Sequence, residues 1–227
     1  METSLHRQLK QRYADEHAQI EVPLREFRID AIAGDELIEI QHGSLAAIRD
    51  KIKKLCRKHR VRVVKPIVAR KQLIKLDKKD GEVVSQRLSP KRGQPLDLFS
   101  ELIYFTKAFP HRNLVLEFAL VEVEEWRYPG HGKRRRRRDG DFQIADQKLV
   151  DVTETFELRT RDDLLAFLPE DLPSPFHTGH LAEGMKIDRW IAQRIAYCLR
   201  ETGTTRLVGK QGNALLYKVK RRRKRAA

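Results

Sequence analysis

Cysteine is scarce in this sequence, with two in 227 residues, Cys56 and Cys198. They lie far apart among apolar neighbours, with no CxxC and no nearby CxxH. That excludes a disulfide framework and a zinc knuckle, and both read as reduced core thiols. Long apolar runs are lacking too: nothing approaches the roughly 18 uninterrupted apolar residues of a membrane span. The opening METSLHRQLK has no apolar core of a secretory signal, so the expectation is a cytoplasmic protein without membrane contact. No GKS or GKT follows Gly130 and Gly132, which removes a phosphate-binding P-loop. Ser89 and His111 have no identifiable triad partner, and no internal repeat is visible.

What is present is a chain 40% hydrophobic and 35% charged, enough for one large domain or two small ones with real cores. Its net charge is +15, and two runs supply most of the excess. Lys133 through Arg138 contribute six charges and Lys218, Lys220 and Arg221 through Arg225 seven, leaving a body of about +2. Nucleic acid is the commonest partner of such segments, because each neutralised phosphate releases counterions. A solubilising tail or an anionic-membrane contact is the competing reading.

Leu5, Leu9 and Tyr13 recur every fourth residue behind Thr3 and Ser4, which predicts an amphipathic helix over 4–14. EVPLREFRIDAI leads through Gly34-Asp35 into ELIEIQ, a strand, tight turn and strand. Leu45, Ile48, Ile52 and Leu55 share one face of a helix over 44–59, with Ser44 as its N-cap. RVRVVKPIV and KQLIKLD read as two further strands, 97–108 as helical, and NLVLEFALVEVEEW as a long strand. The stretch 129–142, YPGHGKRRRRRDGD, has no apolar periodicity and reads as an exposed basic loop or hairpin arm. QKLVDVTETFEL is a strand and TRDDLLAFL a short helix, within a connecting segment 143–172. From 173 to 219 the order is helix, turn, helix carrying Trp190, Ile191, Ile195 and Leu199, then two strands around Gly209 to Asn213. That is the pattern of a winged helix, and 220–227 forms a basic tail.

The turn at Gly34-Asp35 sets Asp30 opposite Glu39 and Arg28 opposite Gln41, all four on one face. Two carboxylates with Cβ atoms roughly 5 Å apart repel unless a cation or a shared proton intervenes. Magnesium, which takes one or two carboxylates plus water and phosphate oxygens, would resolve the conflict with Asp30, Glu39 and the Ile40 carbonyl. The competing reading is an exposed hairpin on which Arg28 neutralises Glu39 and nothing binds.

Asp30, then Glu39-Ile40-Gln41 on the next strand with a helix after it, resembles the PD-(D/E)XK nuclease superfamily over roughly the first seventy residues. The order of elements is similar as well. Ile29 stands where that motif has proline, and Gln41 where it has lysine; some restriction endonucleases of the superfamily carry glutamine there. The resemblance implies Mg2+ or Mn2+ held by Asp30 and Glu39. Candidates for the missing cation are Lys71 first, then Lys65, with His42 weaker because alternation points it to the opposite face. Resolvase-like members add a glutamate from the first helix; Glu2 is nearest to that role, with His6 on its face. SLHRQLK, RIDAI, LIEIQHGS, AYCLRETG and VGKQGNALLY together resemble an uncharacterised bacterial family of this two-part architecture.

The expected fold is therefore α/β, a mixed-sheet restriction-endonuclease-like core over 1–128 followed by a C-terminal winged helix. The expected activity is metal-dependent DNA cleavage at Asp30, Glu39, Gln41 and Lys71, with duplex or branched DNA as partner in the nucleoid. DNA contacts are expected from Arg134, Arg135 and Arg136 in the loop, from Arg189, Gln193 and Arg194 on the second helix, from Lys210 in the wing, and from Arg221 and Arg222 in the tail. His177 and His180 read as capping or surface residues rather than metal ligands. A homodimer fits two-strand cutting, and a larger DNA-processing complex is a further partner class. The rival is a catalytically silent DNA-binding or junction-recognition protein on a degenerate nuclease fold.

Overall fold

A computed structural model of the chain describes residues 3–14, 17–130 and 141–220. It is an α/β structure with a mixed sheet. The chain divides into two compact units, each gathered from three stretches. Met1–His42, Arg62–Pro95 and Glu117–Phe156 make the first; Gly43–Val61, Leu96–Leu116 and Glu157–Ala227 make the second. This differs from the division expected at residue 128, because 43–61 and 96–116 gather with the C-terminal elements.

In the first unit, α1 (Ser4–Tyr13) begins where the Thr3 hydroxyl accepts the His6 amide, and Lys10 and Arg12 in its last turn complement the helix dipole. Leu5 and Leu9 are fully buried. They join Ala31, Ile38, Ile40, Val64, Ala119, Val121 and Val123 in one apolar cluster. The run expected as a single strand before Gly34 is two, β1 (Gln19–Leu24) and β2 (Phe27–Ala33), folded on each other with Leu24 opposite Phe27. The turn between them has Arg25 in the left-handed region at φ +54, a conformation without the glycine or asparagine that usually signals it.

β3 (Glu36–Ile40) pairs with β2 in the register set by the Gly34-Asp35 turn, Ala31 opposite Ile38, Ile32 opposite Leu37 and Ala33 opposite Glu36. Gly34 has φ +58 and nothing within 4 Å of an added Cβ, so its conformation and not its size selects glycine. The two runs expected after residue 59 are one continuous strand, β4 (Arg60–Leu76). Pro66 is tolerated inside it because one edge of β4 is vacated there. The Gln41 amide bonds to the Val64 carbonyl at 2.8 Å, and β5 (Val83–Leu88) begins pairing only at Gln72. β6 (Leu114–Pro129) and β7 (Phe142–Leu158) complete a sheet ordered β1-β2-β3-β4-β6-β7, with β5 on β4.

The second unit contains α2 (Arg49–Leu55), α3 (Leu98–Leu102), a 3-10 segment at Arg161–Phe167, α4 (Thr178–Gly184), α5 (Arg189–Glu201) and the hairpin β8 (Thr205–Gln211) with β9 (Ala214–Val219). The helix expected over 97–108 is only the short α3 followed by turns, and the one expected over 160–168 is the 3-10 segment. Thr160 and Asp163 cap that segment reciprocally. α5 buries Ala192, Ile195, Ala196, Cys198 and Leu199. The Phe99 ring of α3 meets Phe167 edge-on at 5.9 Å, and the Cys198 thiol points at the Phe99 carbonyl at 3.7 Å. Burial pushes that thiol, like the Cys56 thiol, up to about 12. His177 does cap: its Nδ1 accepts the Gly179 and His180 amides while His180 Nδ1 accepts the His177 amide.

Among the described residues no helix is long and apolar enough to cross a membrane. Leu9→Ala removes a fully buried side chain from the cluster under α1, and should lower unfolding free energy by about 3 kcal/mol in a urea titration. A loss under about 1 kcal/mol would mean that α1 contributes little to the sheet's stability.

Candidate active site

The ladder between β2 and β3 stops one residue short of Asp30. In place of a further strand bond, Asp30 Oδ2 accepts the Ile40 amide at 2.8 Å, so a side chain occupies the position of a backbone carbonyl. The His6 imidazole reaches in from α1, with Nε2 3.3 Å from the same oxygen. Burial alone would push the Asp30 carboxyl up. The neighbouring His6 ring, the Ile40 amide and the positive field of Lys10 outweigh it and hold the group below the ordinary carboxylate range. Asp30 is thus an ionised acceptor at neutral pH.

Glu39 follows on β3 and is 5% exposed, and Gln41 is half-buried just beyond the strand. Arg28 is engaged on the β1 side of β2. It pairs with Pro23 on β1 and its guanidinium binds Glu21, which also binds Lys10. The turn at Arg25 brings β1 against β2 there.

Lys71 is occupied. Its Nζ lies 2.5 Å from Oε2 of Glu125, a carboxylate 2% exposed on β6 that also binds Arg127 and accepts from Gln147 Nε2 at 2.7 Å. Desolvation raises the Glu125 pKa, and the bonds from Lys71, Gln147 and Arg127 more than reverse it, so the group stays ionised. Lys65 is 6% exposed and donates to the His42 carbonyl at 2.9 Å. The His42 ring feels burial first and then the charges of Lys65, His6 and Lys71. Its pKa is lowered and it stays neutral.

Among the described residues, no three histidine, cysteine, aspartate or glutamate side chains form a group that could hold a metal ion. Magnesium requires less, one or two carboxylates with water and phosphate completing its shell. Asp30, anionic and 19% exposed, and Glu39 on β3 are oxygen donors of that type. Glu2, Arg134, Arg135, Arg136, Arg221 and Arg222 lie outside the described residues.

On α5, Arg189 and Gln193 are exposed, as is Lys210 on β8. Arg194 is spent within its own unit, donating to Ser100 Oγ at 2.6 Å with its guanidinium 4.9 Å from the Trp190 ring centre. Trp190 was expected in the core but is 54% exposed, because the buried stripe of α5 runs through residues 192, 195, 196 and 199 and leaves position 190 outside it.

Sequence reasoning missed the Glu125, Arg127 and Gln147 cluster. The signal was present: Glu125 continues the inward series Val121 and Val123. His6, noted only as a neighbour of Glu2, is the α1 residue that meets Asp30.

The fold and site define an α/β protein in which the Asp30 carboxylate lies between the third strand's Ile40 amide and His6 of the first helix. A family described as a domain of unknown function, DUF8091, matches residues 3–159, and the chain belongs to it. It is similar to an uncharacterized protein of Treponema pallidum (strain Nichols), 30% identical over 219 residues that cover 96% of this chain and 85% of the relative. No solved structure matches.

The folded pKa of Glu125 lies below its ordinary value of 4.5. Its contribution to stability is therefore fully present above that value and drains away as pH falls through the lower folded one. Glu125→Gln should cost about 2–4 kcal/mol at pH 7 by leaving Lys71 and Arg127 without their carboxylate. Urea titrations from pH 7 down to about 3 should show a shallower acid limb for the variant than for wild type. Parallel limbs would mean that Glu125 is not the titrating group.

Proposed function

We propose that this chain is a metal-dependent DNA endonuclease with a restriction-endonuclease-like core and a C-terminal winged helix. The observation that carries the reading is the Asp30 carboxylate held at the open end of the β2–β3 ladder, with Glu39-Ile40-Gln41 across from it. The order helix, three strands, helix and strand from α1 to β4 supports it, because that is the arrangement the PD-(D/E)XK resemblance implies. Mg2+ or Mn2+ would be held by Asp30 and Glu39, and would supply Lewis-acid polarisation of a scissile phosphate.

The chain's own residues have separate tasks. His6 and the Ile40 amide fix the Asp30 carboxylate and keep it ionised. Gln41 orients water or a phosphate oxygen. His42 is kept neutral by burial and neighbouring cations. Lys71, the cation first ranked for the missing lysine, acts through Glu125 as an electrostatic support.

In the second unit, α4, α5 and the β8–β9 hairpin would form the winged helix, with Arg189, Gln193 and Lys210 meeting DNA. The basic run at 133–138 and the tail would add phosphate contacts, and duplex or branched DNA is the partner class. Two such sites in a homodimer would cut both strands.

A catalytically silent DNA-binding protein is the second reading, favoured by Gln41 in the lysine position and by the engagement of Lys71 with Glu125. Purified wild type and Asp30→Asn, incubated with labelled duplex, branched and single-stranded DNA plus magnesium, manganese or EDTA, separate the two. Cleavage by wild type with metal, absent with EDTA and in the variant, is the expected result. Intact substrates with retarded mobility on a native gel would replace the nuclease reading with the second one.

A further inference from the structure

A cavity lies inside the second unit, far along the chain from Asp30. It encloses about 1000 Å3 between the segment 161–176 and the two strands of the terminal hairpin. Four cations line it, Arg161, Arg206, Lys218 and Lys220, against one carboxylate, Glu170. Leu165 and Leu168, both partly exposed, supply an apolar wall.

Arg206, Lys218 and Lys220 are exposed to solvent and Arg161 is partly exposed. Arg206 on β8 and Lys218 on β9 are direct cross-strand partners. Like charges directly opposite one another destabilise a strand pair. Among the described residues neither makes an ion pair, and Lys220 makes none. Arg161 has only Asp162, at 3.6 Å. A Cβ on Gly203 would lie 3.5 Å from Arg161 Nη1 and 4.0 Å from Lys220 Nζ, so those two charges flank one point. The Lys220 amide bonds to the Thr204 carbonyl at 2.9 Å, and the Thr204 hydroxyl to the Arg161 carbonyl at 3.0 Å, tying together the backbones that bear them.

We propose that this cavity binds a nucleotide. The phosphate would lie between Arg206 and Lys218, with Arg161 and Lys220 adding charge, and the base or sugar would rest on the wall of Leu165 and Leu168. A dianionic phosphate relieves the like-charge pair as it binds, and a guanidinium beside an ammonium suits its oxygens. The apolar wall favours a phosphate attached to a ring over a bare anion. The nucleotide can be free or the 5′-phosphorylated end of a strand. Binding here does not rest on the nuclease reading, since it is measured without cleavage and at residues remote in sequence from Asp30.

Titration calorimetry on the full chain in low salt with EDTA tests it, using dAMP, deoxyadenosine, and 5′-phosphorylated and 5′-hydroxyl oligonucleotides of one sequence. dAMP should bind and deoxyadenosine should not. The double substitution Arg206→Gln, Lys218→Gln should weaken dAMP at least tenfold, while Lys53→Gln on α2 leaves it unchanged. The double variant should melt no lower than wild type, because a repulsion has been removed. A preference of at least tenfold for the phosphorylated over the hydroxyl oligonucleotide names a strand end, and equal affinity for the two names the free nucleotide. No dAMP binding by wild type, equal affinity for dAMP and deoxyadenosine, or dAMP affinity unchanged in the double variant would each overturn the proposal.

Discussion

Asp30 stands where a strand carbonyl would, and much of the first unit is arranged around that substitution. A backbone amide buried without a partner costs as much as a lost hydrogen bond, so the Ile40 N–H needs an acceptor once the β2–β3 ladder has ended. The carboxylate supplies one at 2.8 Å, at the expense of bringing a charge into a partly buried site. His6 and Lys10 on α1 offset that charge, which links the helix to the sheet by electrostatics as well as by Leu5 and Leu9. Lys10 in turn holds Glu21, and Glu21 holds Arg28. One open ladder position thus ties α1, β1, β2 and β3 into a single polar chain beside an apolar cluster.

A second set of buried charges follows the same logic across the sheet. Arg62 on β4 lies between Glu36, at 2.8 Å, and Glu117, which also accepts the Tyr13 hydroxyl. Burial, that hydrogen bond and the Glu117 charge push the tyrosine pKa well above its usual value against the weaker pull of Arg62 and Arg12, so Tyr13 remains a donor. Glu125 repeats the arrangement with Lys71, Arg127 and Gln147. Removing one member of such a set costs more than the set contributes, because the others remain buried without compensation. These clusters favour one strand order over alternatives that would separate their members.

The parts of this architecture legible in the sequence are those governed by short-range rules. Gly34-Asp35 fixes the β2–β3 register because a two-residue turn leaves one pairing consistent with Ala31, Ile38 and Ile40 on the apolar face. α1, α5 and the terminal hairpin follow from apolar spacing and turn residues in the same way. The fold departs where tertiary context decides. Arg25 turns the chain without a turn residue, held by the pairing of Phe27 with Leu24. β4 runs through Pro66 because its neighbour on that edge ends at one point and the next begins further on. Phe99, far from the C-terminal segment in sequence, packs with Phe167 and Cys198, and no local pattern announces that. The site was half legible: Asp30 and Glu39 follow from register, whereas the partners of Lys71 depend on strands that only the sheet order brings side by side.

The charge distribution closes the argument about how this chain meets its partners. About +2 is left outside the two basic runs, and Asp30, Glu117 and Glu125 each have cationic or hydrogen-bonding partners. At the hairpin, Arg206 and Lys218 face each other across β8 and β9. The family match ends at residue 159, at the close of β7, while the similarity to the Treponema protein extends over 96% of the chain. The hairpin therefore lies in the part of the molecule outside the family's common segment. Like positive charges set opposite one another at a cavity are the signature expected of an anion site whose occupant comes from solution.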